Sequence, residues 1–288
     1  MSSKSAPPPL PEPLAVAVAD SHTHLDMQGG TPAEGLAKAA AVGVTTVIQV
    51  GCDVPGSRWA ADLAAEHESV WASVALHPNE APRIVLGDPD GWSGQRRPPG
   101  GMKALDEALA EIDALAALPQ VRAVGETGLD YFRTGPEGAE IQHESFRRHI
   151  AIAKRHGKAL VIHDREAHDD VLRILDEEGA PERTVFHCYS GDAEMAKVCA
   201  EHGYFMSFAG NVTFGSAQPL RDALAAAPLD LVLVETDAPF LTPAPYRGRP
   251  NAPYLIPVTL RAMAQVRGVP EDELAAAVAA NTARAFDY

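Results

Sequence analysis

Cysteine is scarce in this chain: Cys52, Cys188 and Cys199 are the three in 288 residues. They form no CxxC pair and cannot all be joined within one chain, which argues against a disulfide-stapled scaffold and for reduced thiols in the cytoplasm. Long apolar runs are also missing. None approaches the ~20 residues that cross a bilayer, and the opening MSSKSAPPPLPEP lacks the apolar core of a secretory signal. No membrane partner is expected. Basic residues are few, with 24 Lys and Arg against 39 Asp and Glu and a formal charge of −15. That balance argues against nucleic acid held by charge alone, which rests on clustered cations neutralising phosphates. It leaves open a phosphate met through metal ions. The signatures GxGxxG and GxxxxGK[ST] are absent, which slightly weakens the case for a doubly wound sheet.

What is present is ordinary for a globular protein: 46% hydrophobic and 22% charged residues. Residues 1–13 hold one Lys followed by five prolines and read as a flexible tail; 14–288 read as a single catalytic domain. Short runs that are apolar on both faces suit parallel strands covered on both sides. They fall at Leu14–Ala19, Val44–Val50, Val70–Leu76, Val121–Glu126, Ala159–His163, Thr184–His187, Tyr204–Phe208 and Leu231–Glu235. Between them lie amphipathic stretches at Pro32–Ala41, Ser57–His67, Met102–Ala117, Glu137–His156, Glu166–Glu178, Asp192–Glu201, Gln218–Ala226 and Ile256–Arg267. Eight strands each followed by a helix predict an α/β chain folded as a (β/α)8 TIM-type barrel. Two segments break the rhythm and read as loops: 83–101, rich in Gly, Pro and Arg, and the stretch after the eighth strand, with six prolines from Pro239 to Pro257.

Chemistry collects at the strand ends. In ADSHTHLD (19–26), His22 and His24 project to one side of an extended chain. That pair alone fits a cation or two unrelated polar residues equally well. Glu126, His163 and His187 then end the fourth, fifth and sixth strands, and Asp237 follows the eighth. Each interrupts or ends an apolar run where this fold places catalytic groups, and buried charge needs a partner or a metal. Four histidines and two carboxylates are too many for one tetrahedral ion and suit two divalent cations sharing a carboxylate. No Lys lies at the end of the fourth strand, so the sharing falls to Glu126. Imidazole with carboxylate suits Zn or Mn, and Mg remains open.

The series ADSHTHLD, GETGLDYF, VIHDREAHDD, FHCYSG, SFAGNVTF, ETDAPFLTP and YRGRPNAPY, with the closing NTARAF, resembles the TatD family of metal-dependent hydrolases and deoxyribonucleases over residues 19–288. The resemblance implies a two-metal barrel that cleaves phosphodiesters of DNA, of the 3'-5' exonuclease or repair type. It also implies one cation on His22, His24, Glu126 and Asp237, and another on Glu126, His163 and His187. Glu126 and Asp237 are the expected catalytic groups, with Asp237 orienting the attacking water. His77, Arg165, Arg247 and Arg249 are candidate phosphate contacts. Ala252 stands where the family's RGxxNEPxY pattern has Glu.

The other histidines have plainer expectations. His143, His149 and His156 lie on one amphipathic helix and are expected on its solvated surface, and His67, His168 and His202 are expected to be structural or exposed. Asp20 and Asp26 should hydrogen-bond rather than ligate. Two competing functions remain: an amidohydrolase- or lactonase-like hydrolase of a small molecule, since the same cations polarise a carbonyl, and a non-catalytic metal-binding protein. A monomer without an obligate protein partner is expected.

Overall fold

Valine, isoleucine and alanine crowd the segments that become strands. In the computed structural model, which describes residues 6–88 and 96–288, these are β1 (Val18–Thr23), β2 (Val44–Gly51), β3 (Val70–Val74), β4 (Val121–Asp130), β5 (Ala159–Arg165), β6 (Thr184–Phe186), β7 (Phe205–Phe208) and β8 (Val232–Val234). The sheet runs in the order β1 to β8 with parallel registers. Past β8, Ala238 bridges back to Thr23 of β1. The helices are α1 (Pro32–Ala41), α2 (Val54–Glu66), α3 (Glu80–Leu86), α4 (Gly101–Ala116), α5 (Pro136–His156), α6 (His168–Glu178), α7 (Ala193–Glu201), α8 (Gln218–Ala226), α9 (Ile256–Arg267) and α10 (Glu271–Phe286). Strand and helix alternate as a (β/α)8 barrel requires. Among the described residues no helix is long and apolar enough to cross a membrane.

The chain divides into two compact units: Met1–Gln49, His67–Trp71 and Val185–Tyr288 form one, Val50–Glu66 and Ala72–Thr184 the other. In the first, α10 packs on β1 and β8, burying Leu274, Val278 and Phe286. In the second, α5 packs on β4 and buries Phe146 and Ile150. Local signals set several boundaries. Thr31 and Glu34 form a reciprocal capping box ahead of Pro32 and start α1. Asp192 accepts from the Glu194 and Met195 amides and starts α7.

Four expectations change. The first strand runs Val18–Thr23 rather than Leu14–Ala19, because its polar side chains find partners inside. The Ser21 and Ser207 hydroxyls lie 2.8 Å apart, and Asp20 accepts from the Thr236 amide at 2.9 Å and from its hydroxyl. The 83–101 segment begins helical, since α3 extends to Leu86. There Arg83 bonds Glu80 and Asp88, each at 2.9 Å, while Arg97 also pairs with Glu80. Residues 89–95 of that segment lie outside the described ones. His149 is fully buried rather than solvated: its Nε2 accepts from the Leu76 amide at 3.1 Å and its Nδ1 lies 2.7 Å from the Ser145 carbonyl.

The fourth change concerns the expected tail. Residues 1–5 lie outside the described ones, and the backbone of 6–13 is hydrogen-bonded to the rest of the first unit. Arg249 donates to the carbonyls of Ala6 and Pro7 at 2.8 and 2.6 Å. The Tyr254 hydroxyl donates to Pro8 at 2.8 Å, and Arg261 to Glu12 at 2.9 Å. Proline-rich backbone has few amides, so its carbonyls are bound from outside.

Candidate metal centre

In the first unit, β1 carries Asp20 and His22 on one side, with His24 just beyond. Asp20 is fully buried; burial pushes its carboxyl up to about 7, against hydrogen bonds from Thr236 and His22 that lower it. Its bond to the His22 amide, 3.2 Å, braces the strand beneath the imidazole. Asp237 follows β8 with a left-handed φ of 52°, a conformation that costs energy away from glycine, and its amide donates to the His22 carbonyl at 2.9 Å. The two histidine Nε2 atoms lie 3.3 Å apart. Asp237 Oδ1 is 3.8 Å from that of His22 and 3.6 Å from that of His24. Ligands bound at zinc-like lengths around one tetrahedral cation stand roughly 3.4 Å apart, so these three side chains fit a metal. Burial acts to raise the Asp237 pKa, but His24, His22 and His187 outweigh it and hold the carboxyl below its usual range.

His187 stands immediately after β6, its ring stacked on that of His22 with centroids 3.9 Å apart and planes 12° apart. Glu235 Oε1 accepts from the Cys188 amide at 2.8 Å and lies 3.3 Å from His187 Nδ1. Glu235 is fully buried, and its Oε2 has no hydrogen-bond partner among the described residues. A buried carboxylate oxygen without a donor calls for a cation. His22, His187 and Glu235 form a second grouping able to hold one.

In the second unit, Glu126 lies within β4 and His163 within β5. Glu126 Oε2 is 3.2 Å from His163 Nδ1 and 4.0 Å from His77 Nε2, while Oε1 accepts from the Cys52 thiol at 3.3 Å. His163 Nε2 is 3.3 Å from Asp130 Oδ2, which also accepts from Asn79 at 2.8 Å. Asp130 is buried, which would raise its pKa, but bonds to His163 and Asn79 and the nearby His77 bring it down to about 2. It stays ionised and orients His163, as a carboxylate behind a ligand histidine does. His77, Asp130 and His163 together could hold a cation. The β4–β5 approach leaves no room for a side chain at Gly128, where φ is +131° and a Cβ would fall 2.2 Å from the His163 carbonyl oxygen.

The expected phosphate contacts divide. Arg165 lies with its guanidinium 3.7 Å over the Phe132 ring, and Arg247 lies 4.3 Å over Phe214. His77 accepts from the Asn79 amide at 3.0 Å, and its ring meets His163 edge-on. Arg249 donates from Nε and Nη2 to the Ala6 and Pro7 carbonyls. Glu235, Asp130 and Cys52 were not foreseen. Glu235 and Asp130 are charges within strand-end motifs, a signal available to inspection. The Cys52 thiol follows the second apolar run with no marker beside it.

Histidines and carboxylates thus lie within or just past β1, β4, β5, β6 and β8, and the TatD related DNase model matches residues 19–287. The chain belongs to that family. It is 41% identical over 275 residues to "Uncharacterized metal-dependent hydrolase TatD" of Mycobacterium tuberculosis, covering 93% of this chain and 97% of that one. It is 38% identical over 276 residues to "Uncharacterized metal-dependent hydrolase YcfH" of Escherichia coli, covering 93% and 94%. Among solved structures, the Escherichia coli TatD homolog YjjV matches with a TM-score of 0.80 at 27% identity, covering 94% of this chain and 98% of that one. This TatD protein is a metal-dependent hydrolase.

Proposed function

We propose that this TatD protein hydrolyses phosphodiester bonds of DNA with two divalent cations. His22, His24, His187 and Asp237 would be ligands in one unit, and Glu126 and His163 ligands in the other. The observation that carries this reading is the convergence of His22, His24 and Asp237, whose ligand atoms lie 3.3–3.8 Å apart in a family described as TatD related DNase. Bound cations supply Lewis acidity that polarises the scissile phosphate and eases ionisation of water.

The chain's own groups do the rest. Asp237, held ionised by its histidine neighbours, orients the attacking water and accepts its proton at Oδ1. As the water oxygen bonds phosphorus, the ester bond breaks and the proton passes to the leaving oxygen. Asp130 and Glu235 hold His163 and His187 in position. Arg165, Arg247 and His77 receive the phosphates flanking the scissile bond. The imidazole-rich donor set suits zinc or manganese better than magnesium, which prefers more oxygen.

Glu126→Gln and Asp237→Asn test the assignment. Each variant is expected to fold, to lose metal by elemental analysis or titration, and to cut an oligonucleotide at least about 100-fold more slowly, the scale at which loss of one transition-state contact registers. Undiminished hydrolysis in either variant would overturn its role.

A further inference from the structure

Large apolar side chains are normally buried, so those left in water mark places with work to do. Among the described residues the strongly exposed ones include Met27, Phe132 and Phe240, and the two phenylalanine rings are 56% and 53% exposed. All three sit just past a strand end that bears candidate ligands: Met27 after His24, Phe132 two residues after Asp130, Phe240 three after Asp237. Phe240 also turns its ring edge-on to His24, with centroids 6.3 Å apart.

Phe132 has a second distinguishing feature. The guanidinium of Arg165, two residues beyond His163, lies 3.7 Å over its ring. Backbone bonds fix the pair, since the Tyr131 amide donates to the Arg165 carbonyl at 3.0 Å and the Phe132 amide to Asp130 Oδ1 at 3.1 Å. In this acidic chain the arginines at 58, 83, 97, 147, 148, 155, 173 and 261 are all ion-paired with carboxylates. Among the described residues no carboxylate pairs with Arg165. An uncompensated cation stacked on an exposed aromatic ring, beside a metal-capable histidine, offers a π-face to a base and a charge to the adjoining phosphate.

We infer that Phe132 with Arg165 is a nucleotide subsite: the ring stacks an unpaired nucleobase while the guanidinium takes the neighbouring phosphate. Phe240 plays the same stacking part for the loop after β8. The inference rests on the phosphodiesterase reading for its substrate class, yet it concerns bases, which the hydrolytic step never touches. It assigns strand recognition to particular side chains and requires a target whose bases are out of the duplex stack.

The test compares two strands with the same backbone: an oligothymidylate and an abasic oligomer, both phosphorothioate-linked so that binding is read without turnover. Affinity is measured by fluorescence anisotropy with the manganese-loaded full chain. Phe132→Ala and Phe132→Leu should each weaken oligothymidylate binding about 10-fold, within the range found for base–aromatic stacking, and leave the abasic strand within about 2-fold. Phe132→Trp should retain or tighten oligothymidylate binding, which a merely apolar packing role would not produce. Thermal midpoints of all variants should match the parent, as the ring is largely in solvent. Equal effects on both strands, no effect on either, or a parent protein that binds neither would overturn the subsite. The hydrolytic reading fails separately if the parent shows the stacking signature but cleaves no ordinary phosphodiester strand with manganese, magnesium or zinc.

Discussion

A single imidazole sets a pH limit on this fold. His149 sits on α5 in full burial, and that burial brings its pKa from 6.5 down to about 4 although the Ser145 carbonyl acts to raise it. The folded pKa lies below the unfolded one, so the stabilising difference is whole above pH 6.5 and is lost as pH falls toward 4, where the unfolded chain alone holds the proton. The loss amounts to about 3 kcal/mol. Urea unfolding measured across that window should show His149→Gln declining less steeply than the parent; identical slopes would remove His149 as the cause. The sequence placed His149 on a helix but on the wrong face, because its neighbours include Arg147 and Arg148 and only tertiary packing reveals the Leu76 amide it receives. The six proposed ligands were legible for the opposite reason. Each is a polar residue that interrupts or ends an apolar run, although β4 and β5 continue past Glu126 and His163.

At the scale of elements, the join between β4 and β5 controls where Glu126 and His163 stand. Gly128 lets the two backbones approach so closely that a Cβ would meet the His163 carbonyl at 2.2 Å. Gly128→Ala should therefore push β5 away, cost about 2 kcal/mol or more, and lower bound metal measured by elemental analysis beyond what the stability change alone removes at saturating protein integrity. A variant with full metal content and parental stability would show that the strands can part without consequence. Most elements could be read from apolar runs and caps; α1, α8 and α9 fall where periodicity puts them. β1 could not, since its apolar run ends at Ala19 while the strand continues through Asp20 and Ser21, whose bonds to distant Thr236 and Ser207 are invisible locally. α3 was hidden by Pro82 and Arg83, which signal a loop until the ion pairs to Glu80 and Asp88 are known.

For the whole molecule, a formal charge of −15 means that bound cations relieve self-repulsion as well as enabling chemistry. Free metal at 100 times its dissociation constant adds about 2.7 kcal/mol to a folded chain. Chelation should thus lower the thermal midpoint by about 5 °C, with a smaller drop for Glu126→Gln; an unchanged midpoint would mean that the ligand cluster is not loaded in the parent. The barrel and its family were legible because strand order and motif order coincide along the chain. The attachment of residues 6–13 was not, as a proline-rich stretch carries no trace of the arginine that will hold it. Arg249 reaches a carbonyl 243 positions earlier, which makes the front of the polypeptide a tether for the segment behind Asp237. A cut or a bulky fusion ahead of Pro8 would therefore be felt in the loop after the proposed ligand Asp237 while every residue there kept its identity.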